Sequence, residues 1–270
     1  MTATLPGSRF ARNLVERRSL LAQLVRRDFE QRFVGSVIGW LWTLIHPLVL
    51  LVSWYFAFRV CLRVQVDPKE VTESYPLFLF TGMLPWLLFS ETVQRSSTSL
   101  LEQASLITKT VFPAEVVPVS LWLSSLMSHV LALILAIAAC GIVLGQFTAN
   151  LVLLPIYVAI LGLFAVGVGW IVSSLQVYLR DTAQVLSVLL TFWFWVTPVF
   201  IPEERFPERL RFLLTANPMA YLVHAYREIL LFGRTPGLTS LGIVAIYAVA
   251  TFCLGGLFFR HMKRGFADVL

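Results

Sequence analysis

The longest uncharged stretch constrains the fold more than any other feature of this sequence. The 64 residues between Glu115 and Arg180 contain no aspartate, glutamate, lysine or arginine. A membrane-spanning helix needs about 20 mostly apolar residues, so this stretch is too long for one crossing and suits two. A small polar cluster of turn-forming residues at 145–150 predicts the break between them. Two spans are therefore expected, at about 117–144 and 151–176.

Other apolar segments predict further crossings, and the composition supports this interpretation. They lie at about 37–58, 75–94, 182–200 and 238–259. Of all residues, 58% are hydrophobic and only 13% are charged, whereas a soluble domain has roughly 25% charged residues. The sequence therefore predicts an all-α membrane protein in which residues 1–270 form a single transmembrane domain with six membrane-spanning helices.

The lysines and arginines outside these spans predict the orientation, because an excess of them marks cytoplasmic loops. In the six-span topology, twelve lie on the side of the chain ends, eight lie on the other side, and Arg95 lies at a boundary. Six crossings put both termini on one side, and we expect that side to be the cytoplasm. A cleavable signal peptide is not expected, since the first apolar run begins at Val37, behind seven arginines.

Residues 14–34 predict a basic amphipathic helix before the first span. Val25 and Phe29 recur at helical spacing, while arginines such as Arg26 and Arg27 fall mostly elsewhere on the helix. Such a helix lies along a membrane surface, where basic residues contact anionic lipid headgroups. We therefore assign the net charge of +6 to contacts with membrane lipids and expect no nucleic-acid partner. The helix either anchors the chain to lipid or helps to hold a cytoplasmic protein.

The segment 201–236 predicts a structure that enters the membrane without crossing it. It contains Pro202, Pro207, Pro218 and Pro236, and proline interrupts a helix because it lacks a backbone donor. The apolar patches between these prolines are too short to span a bilayer. Non-helical backbone at membrane depth must be buried in protein or line a wet cavity. A re-entrant helical hairpin before the last span is the favoured interpretation, and an ordinary external loop is the alternative.

Several kinds of chemistry are missing from the sequence. No lysine follows a glycine, so the chain lacks a P-loop, whose lysine and backbone amides hold nucleotide phosphates. The three cysteines form no Cys-x-x-Cys or Cys/His cluster and predict neither a disulfide framework nor a metal site. No paired carboxylates or nucleophile–base arrangement indicates a membrane enzyme. We expect a chain that is not an enzyme and has no cofactor of its own.

Few ionisable residues fall inside the predicted spans, although ion-driven transporters usually have them. Glu91 and Arg95 are four residues apart on one helix face and are interpreted as a local ion pair near the inner surface. His46, beside Pro47, is interpreted as a kink site, and His129 as a hydrogen-bonded packing residue. These residues are too thinly spread to favour an ion-driven mechanism.

Short motifs along the whole chain resemble those of one known family, in the same order and at similar spacing. The motifs are residues 32–42 (RFVGSVIGWLW) followed by Pro47, 107–113 (ITKTVFP), 178–181 (YLRD), 197–200 (TPVF), 217–219 (NPM), and Arg227 followed by 230–233 (LLFG). Together they resemble type-2 ABC exporter permeases of the polysaccharide group. Those proteins export O-antigen, capsule, teichoic acid or related lipid-linked glycans.

The resemblance implies an assembly and a surface that couples it to an energy source. It implies a homodimer of six-span subunits with two copies of a separate ATPase, and that partner would bind ATP and magnesium. The amphipathic helix and the loop 102–115 would contact the ATPase and transmit its closure to the spans. The residues expected to serve this coupling are Arg26, Arg27, Phe29, Ile107, Lys109, Phe112, Pro113 and Glu115. From the residues alone, the loop is equally consistent with a plain connection.

The resemblance also implies a gate, and the aromatic residues suggest a channel. Residues 201–232 resemble re-entrant gate helices, and the expected outer-gate residues are Pro198, Pro202, Asn217, Pro218 and Arg227. Aromatic faces can touch sugar C–H groups without holding one sugar tightly, and a conduit needs such weak multi-site contact. The candidate channel-lining residues are Trp40, Trp42, Trp86, Phe89, Phe192, Trp193 and Trp195. Tryptophan is also typical of membrane interfaces, which is the alternative.

The resemblance leads to one expected function and leaves two others open. We expect the transmembrane subunit of an ATP-driven exporter that moves a lipid-linked polysaccharide across a bacterial inner membrane. A permease of the same architecture for a drug or small lipid is the first alternative. A membrane transferase acting on lipid-linked sugars is the second.

Overall fold

The computed structural model describes residues 18–32, 34–61, 74–109, 112–145 and 147–270, and every regular element in those ranges is helical. In chain order the α-helices are α1 (Arg18–Gln31), α2 (Trp42–Trp54), α3 (Tyr75–Glu102), α4 (Ala104–Lys109), α5 (Val116–Leu144), α6 (Leu154–Tyr178), α7 (Thr182–Val196), α8 (Arg211–Ala216), α9 (Pro218–Leu230), α10 (Leu238–Met262) and α11 (Phe266–Val269). A π-helical turn at Tyr55–Cys61 continues α2, and 3-10 turns lie at Gly39–Leu41, Ala149–Leu153, Glu203–Arg205, Glu208–Leu210 and Lys263–Gly265. The all-α prediction is confirmed for the described residues.

Within the described ranges, four helical segments are long and apolar enough to cross a membrane. They are α3, α5, α6 with the turn before it, and α10 with the turn after it. The apolar helices Trp42–Phe58 and Thr182–Val196 are shorter. The 15 residues of α7 extend about 23 Å at roughly 1.5 Å per residue, less than the roughly 30 Å of a hydrocarbon core. Several apolar spans are thus present, and the total of six crossings stays a prediction.

The break between α5 and α6 falls inside the turn predicted at 145–150. Gly145 has a left-handed backbone with φ of 68°, which glycine adopts readily because it has no Cβ. Its N–H donates to the carbonyl of Gly141 and closes the last turn of α5, as is common at helix ends. The Asn150 side chain donates to the carbonyl of Gly233 at 2.7 Å. This bond ties the connection between α5 and α6 to the end of α9.

Helix α1 belongs to the predicted amphipathic helix, whose residues 14–17 and 33 lie outside the described residues. Leu24 is buried, whereas Arg26 and Arg27 are exposed, as the amphipathic pattern predicts. The helix packs against α5. Its apolar side is therefore covered by protein at Leu24.

Helices α6 and α10 pack with their backbones in contact. A Cβ atom on Gly255 would overlap the carbonyl group of Gly167, and one on Gly167 would overlap the backbone at Thr251. Small residues allow this close approach, which gains packing contacts where lipid provides no hydrophobic driving force between helices. The two helices are thereby fixed against each other along their length.

Two clusters of buried apolar residues hold the bundle together. The larger lies among α3, α5, α6 and α9. The smaller, called the end cluster here, comprises Leu100, Ala114, Val117, Val119, Leu121, Val166, Trp170, Val177, Phe259 and Phe266. Leu21 of α1, Ile107 of α4 and Leu270 after α11 all pack against the end cluster. Helices α1, α4 and α11 therefore lie at the same end of the bundle.

The segment after α7 contains two short helices instead of one long helix. Asn217 has an extended backbone and Pro218 begins α9, so α8 and α9 are separate. Met219 and Tyr226 of α9 are wholly buried, and α9 packs against α3, α6 and α10. The 13 residues of α9 extend about 20 Å at roughly 1.5 Å per residue, too short for a crossing. Such a helix agrees with a broken pair of helices, and its entry into the outer leaflet stays a prediction.

Candidate functional site

Two arginines and two carboxylates form a charge network between α1 and α3. Arg32, just after α1, places Nη1 at 2.8 Å from Oε1 of Glu91 on α3. Arg95 on α3 pairs with Asp28 on α1. The distance within α3, from Arg95 Nη1 to Glu91 Oε1, is 3.9 Å. Glu91 and Arg95, interpreted from sequence as a local ion pair, therefore belong to a four-residue network. Their contacts with Arg32 and Asp28 are shorter than their contact with each other.

Serines on α5 extend the network to a third helix. Ser125 Oγ donates to Glu91 Oε1 at 3.0 Å, and Arg32 Nη2 donates to Ser125 Oγ at 3.0 Å. A longer bond of 3.4 Å runs from Arg32 Nη1 to Ser128 Oγ. Burial lowers the pKa of Arg32, and the charges of Glu91 and Asp28 oppose that effect. Since arginine stays protonated in proteins, the network joins α1, α3 and α5 through fixed charges.

Asp28, Arg32 and the two serines are members of this site that the sequence did not predict. Asp28 and Arg32 are four residues apart, as are Glu91 and Arg95. Each pair presents one acid and one base on a single helix face, with the base following the acid. Two such pairs fit together when the helices cross so that each acid meets the other helix's base. That pairing of patterns was the signal available in the sequence.

A cavity of about 670 Å³ lies beside the network, among α2, α3, α5 and α7. Arg32 and Glu91 line it together with hydroxyl and amide groups on all four of these helices, namely Thr43, Ser90, Gln94, Ser125, Ser128 and Ser187. The remaining wall includes Trp42, Leu84 and Leu190. Most of the accessible wall of the cavity is apolar, and these polar groups add a smaller number of hydrogen-bonding positions to it.

A buried polar pair connects the wall of this cavity to α9. His129 of α5 lines the cavity, and its Nε2 lies 3.0 Å from the hydroxyl of Tyr226. Both side chains are buried, and buried polar groups are satisfied by such bonds. His129 is thus a hydrogen-bonded residue, as the sequence predicts, and it also borders the cavity.

Arg227 of α9 fixes the irregular backbone after α7. Its Nη1 and Nη2 donate to the carbonyls of Pro198 and Val199, each at 2.6 Å. Its Nε donates to the carbonyl of Phe78 at 3.4 Å, and its Cζ lies 3.5 Å from the centre of the Phe78 ring. A Cβ on Gly82 would lie 2.5 Å from Nη2, so glycine leaves room for the guanidinium. The side chain therefore joins α3, α9 and the chain after α7.

Asn217 makes a second link between α7 and α9. Its side-chain oxygen accepts from the backbone N–H of Met219 at 3.0 Å and from Trp193 Nε1 at 2.8 Å. Its Nδ2 donates to the hydroxyl of Thr197 at 3.0 Å. The first bond is an N-cap, a position that asparagine favours because its oxygen satisfies a free helix N–H. Asn217 thus starts α9 and holds it against the end of α7.

Four of the five predicted outer-gate residues make or adjoin these two links. Arg227 and Asn217 make them, the Pro198 carbonyl accepts from Arg227, and Pro218 begins α9. Pro202 is buried in the irregular chain that follows. The geometry gathers four of these residues at one junction, and their role as a gate stays a prediction.

The predicted coupling residues differ in exposure. The side chains of Arg26 and Arg27 are exposed and that of Phe29 is half-buried. Ile107 and Phe112 pack against the end cluster, and Pro113 is buried. Glu115 forms an ion pair with Lys263 at 2.5 Å. The side chain of Lys109 lies outside the described part of the structure. The predicted coupling residues thus include exposed arginines on α1, while Ile107 and Phe112 point into the bundle.

The predicted channel-lining aromatics separate into buried and exposed sets. Trp86 and Phe89 are buried, and the Phe89 ring lies 5.1 Å from the ring of the partly buried Trp193. Phe192 and Trp195 are 69% and 59% exposed. Trp42 is also exposed and borders the cavity, while the side chain of Trp40 lies outside the described residues. Among the members of this set whose side chains the structure describes, only Trp42, Phe192 and Trp195 present broad accessible surfaces within one subunit.

Comparison with known proteins gives full-length similarities. The ABC-2 type transporter family matches residues 19–231. The O-antigen export system permease protein RfbA of Myxococcus xanthus is 33% identical over 263 residues, with 96% of this chain and 98% of the relative covered. RfbA of Klebsiella pneumoniae is 30% identical, with 93% and 95% covered. The polysialic acid transport protein KpsM of Escherichia coli is 23% identical, with 89% and 92% covered.

The matched region contains the features that define the candidate site. It runs from α1 to the end of α9 and includes the charge network, the cavity wall and the junction at Arg227. The apolar helices of the bundle are those of a multi-pass membrane protein. The family match over most of the sequence and the full-length relatives lead to one conclusion: this chain belongs to the ABC-2 type transporter family.

Proposed function

We propose that this chain is the transmembrane permease subunit of an ATP-driven exporter of a lipid-linked polysaccharide. Its relatives are named O-antigen export system permeases and a polysialic acid transport protein, and its similarity to the first of them extends over 96% of the chain. The chain has no P-loop lysine, so the energy comes from a separate ATPase. ATP and magnesium bind to that partner and not to this chain.

The similarity to O-antigen export permeases over nearly the whole chain is the observation that carries the substrate class. A polysaccharide presents many hydroxyls, so hydrogen-bonding partners stabilise it wherever it leaves water. Hydroxyl and amide groups from α2, α3, α5 and α7 line the cavity within a bundle of otherwise apolar helices. Contacts of this kind are many and individually weak, which favours movement over tight retention. The cavity is the place where the glycan first enters the subunit.

The topology that we propose has six crossings in a bacterial inner membrane. The spans are α2 with its π-helical extension, α3, α5, α6, α7 and α10. Both termini face the cytoplasm, because α1, α4 and α11 meet at one end of the bundle and the seven arginines before Val37 favour the cytoplasmic side. Helices α8 and α9 then form a re-entrant segment in the outer leaflet.

The complete exporter is a homodimer of this chain with two ATPase copies. Broad apolar surfaces on α2 and α7, including Val52, Phe56, Phe192 and Trp195, support a dimer in which these helices line the glycan path. Large exposed apolar surfaces mark contacts with lipid or protein. Exposed arginines on α1, with the loop 102–115, form the ATPase-docking end. Arg227 and Asn217 hold α9 in place as the outer gate.

Purification and export assays test this function together. Wild-type chain in membranes should co-purify with an ATPase subunit, and deletion of its gene should abolish the surface glycan while leaving the glycan's synthesis inside the cell intact. Retained surface glycan in the deletion strain would contradict the proposal. Activity of the purified chain on lipid-linked sugars without any ATPase would favour a transferase instead.

A cavity variant tests the proposed glycan entry site. Ser187→Leu places a larger apolar side chain at the cavity wall and should lower export at least several-fold without loss of the assembled complex. Thr239→Leu is the matched control, because Thr239 is exposed at the start of α10 and away from the cavity wall. Equal export by the two variants would show that this cavity does not carry the glycan.

A further inference from the structure

The carboxyl-terminal segment 263–270 folds back onto the loop that precedes α5. Lys263 Nζ lies 2.5 Å from Glu115 Oε2, and the two side chains are 38% and 18% exposed. Leu270 packs against the same end cluster as Ile107 and Phe112. Residues that are more than a hundred positions apart in sequence therefore share one surface.

Phe266 anchors this segment in the bundle. Its side chain is 1% exposed, and its ring centroid lies 5.5 Å from that of Phe259 on α10 and 6.2 Å from that of Tyr178 on α6. A buried aromatic side chain of this size supplies a large share of local packing energy. Phe266 thus joins the short helix α11 to the ends of two long helices.

Two hydrogen bonds from α6 hold the end of α10 and the backbone of Glu115. The hydroxyl of Tyr178 donates to the carbonyl of Met262 at 2.8 Å. Trp170 Nε1 of α6 donates to the carbonyl of Glu115 at 3.0 Å. Glu115 is therefore held through its backbone by α6 and through its side chain by the residue that follows α10.

We propose that Lys263 and Phe266 are positioning residues for ATPase coupling, a role that rests on the function proposed above. They fix the loop 102–115 to the ends of α6 and α10, so a displacement of that loop moves these two helices as well as α5. Helix α4 has only six residues and could not transmit force by itself. Chains of packed side chains and ion pairs of this kind can carry coupling between distant sites.

The ion pair is tested by charge exchange. Lys263→Glu should lower glycan exported per ATP hydrolysed by about fivefold or more, the lower end of typical coupling effects, while the complex with the co-purifying ATPase still assembles. Glu115→Lys should do the same, and the double variant that restores opposite charges should recover most of the ratio. Arg264→Glu is the control: it makes the same charge change at an exposed neighbouring position and should leave the ratio unchanged.

The buried anchor is tested in the same complex. Phe266→Ala should raise ATP hydrolysis relative to export, and Phe266→Leu should recover part of the coupling, whereas Val269→Ala at an exposed site of the same segment should have no effect. Unchanged export per ATP in both Lys263→Glu and Phe266→Ala would overturn the positioning role. In that case the wild-type complex still exports glycan, and only the positioning role is wrong. If the proposed function is wrong, the wild-type complex itself shows no ATP-dependent glycan export.

Discussion

Arg227 illustrates how a charged side chain is kept inside an apolar bundle. The irregular backbone after α7 leaves carbonyls without helical partners, and buried acceptors of this kind must be satisfied. Two of them, on Pro198 and Val199, accept from the guanidinium. Arginine suits this position because its planar fork presents several donors in fixed directions.

Replacing Arg227 should therefore destabilise the subunit. Arg227→Leu leaves buried carbonyls unsatisfied and should cost about 2–4 kcal/mol, since each such loss costs roughly 1–3 kcal/mol. Arg227→Lys should recover only part of this loss because lysine lacks the fork. The effect is measured by heating the detergent-purified protein and recording the fraction that stays monodisperse at each temperature. Arg209→Leu, at an exposed site, should change stability by no more than about 0.5 kcal/mol, and equal stability of the two leucine variants would contradict this account.

His224 contributes a pH dependence at the outer segment. Its Nδ1 lies 3.4 Å from Glu203 and its Nε2 lies 3.8 Å from Glu228. The hydrogen bond to Glu203 raises the pKa of His224 above its ordinary value of 6.5, while partial burial and Arg227 oppose this rise. The folded pKa is therefore the higher one, so the stabilisation is complete below the ordinary value and is lost as pH rises through the raised value.

The prediction is a stability difference that fades with rising pH. The thermal midpoint of the wild-type protein should exceed that of His224→Gln most clearly at mildly acidic pH, and the two should converge in alkaline buffer. His261→Gln is the control, because His261 is exposed in the last turn of α10. Its thermal midpoint should match that of the wild-type protein at each pH. A difference that grows with pH would have the wrong sign for this pair of contacts.

Among the elements, α1 is held by charges as well as by apolar packing. Asp28 and Arg32 meet Arg95 and Glu91 across the contact between α1 and α3. These four side chains are at most 37% exposed, whereas the Arg26–Glu30 pair on the same helix is 81% and 59% exposed. Ion pairs that water reaches less are screened less. The inner network should therefore carry more of the attachment of α1 than the outer pair does.

A double-mutant cycle separates these two pairs. The cycle of Asp28→Ala with Arg95→Ala should give an interaction energy of about 1–3 kcal/mol, as for residues in one network. The matched cycle of Arg26→Ala with Glu30→Ala should give about 0.3–0.5 kcal/mol, the usual value for an exposed pair on one helix. Thermal stability of the purified protein gives both values. Equal interaction energies would show that the network does not hold α1.

Local sequence patterns predicted the helices better than their contacts. The uncharged stretch before Arg180 and the turn residues near Gly145 were sufficient to predict α5, α6 and the break between them. The partners Asp28 and Arg95 are 67 residues apart, and no local spacing indicates which helices meet. The network was therefore visible only as two separate four-residue patterns.

The aromatic residues show a second limit that is specific to membrane proteins. Trp86 and Phe89 are buried within the subunit, while Phe192 is exposed, and all three belong to strongly apolar helices. In a soluble protein the polar face of a helix indicates which side chains are outside. A span surrounded by lipid lacks that contrast, so its sequence does not distinguish lipid-facing, channel-facing and core positions.

For the whole molecule, one end collects the segments that would meet a cytoplasmic motor. Leu21, Ile107 and Leu270 pack against the end cluster. At the other end, the Tyr75 hydroxyl donates to the carbonyl of Phe200. The described connections thus lie at two opposite ends of one bundle, and the number of crossings stays a prediction.

Reporter fusions test this topology. Alkaline phosphatase, which is active only outside the cytoplasm, should be active when fused after Arg209 and inactive when fused after Leu270. A fluorescent protein that folds only in the cytoplasm should give the opposite pattern at the same two positions. Phosphatase activity at both positions would contradict six crossings with cytoplasmic termini.

The shortness of α7 has a consequence for the surrounding bilayer. A helix of about 23 Å, at roughly 1.5 Å per residue, leaves a hydrophobic mismatch of several ångströms with the roughly 30 Å hydrocarbon layer. Such a mismatch is relieved by local thinning of the lipid or by a neighbouring protein surface. In the proposed six-span topology, local thinning would shorten the apolar distance beside α7 and lower the barrier to a hydrophilic polymer at that face.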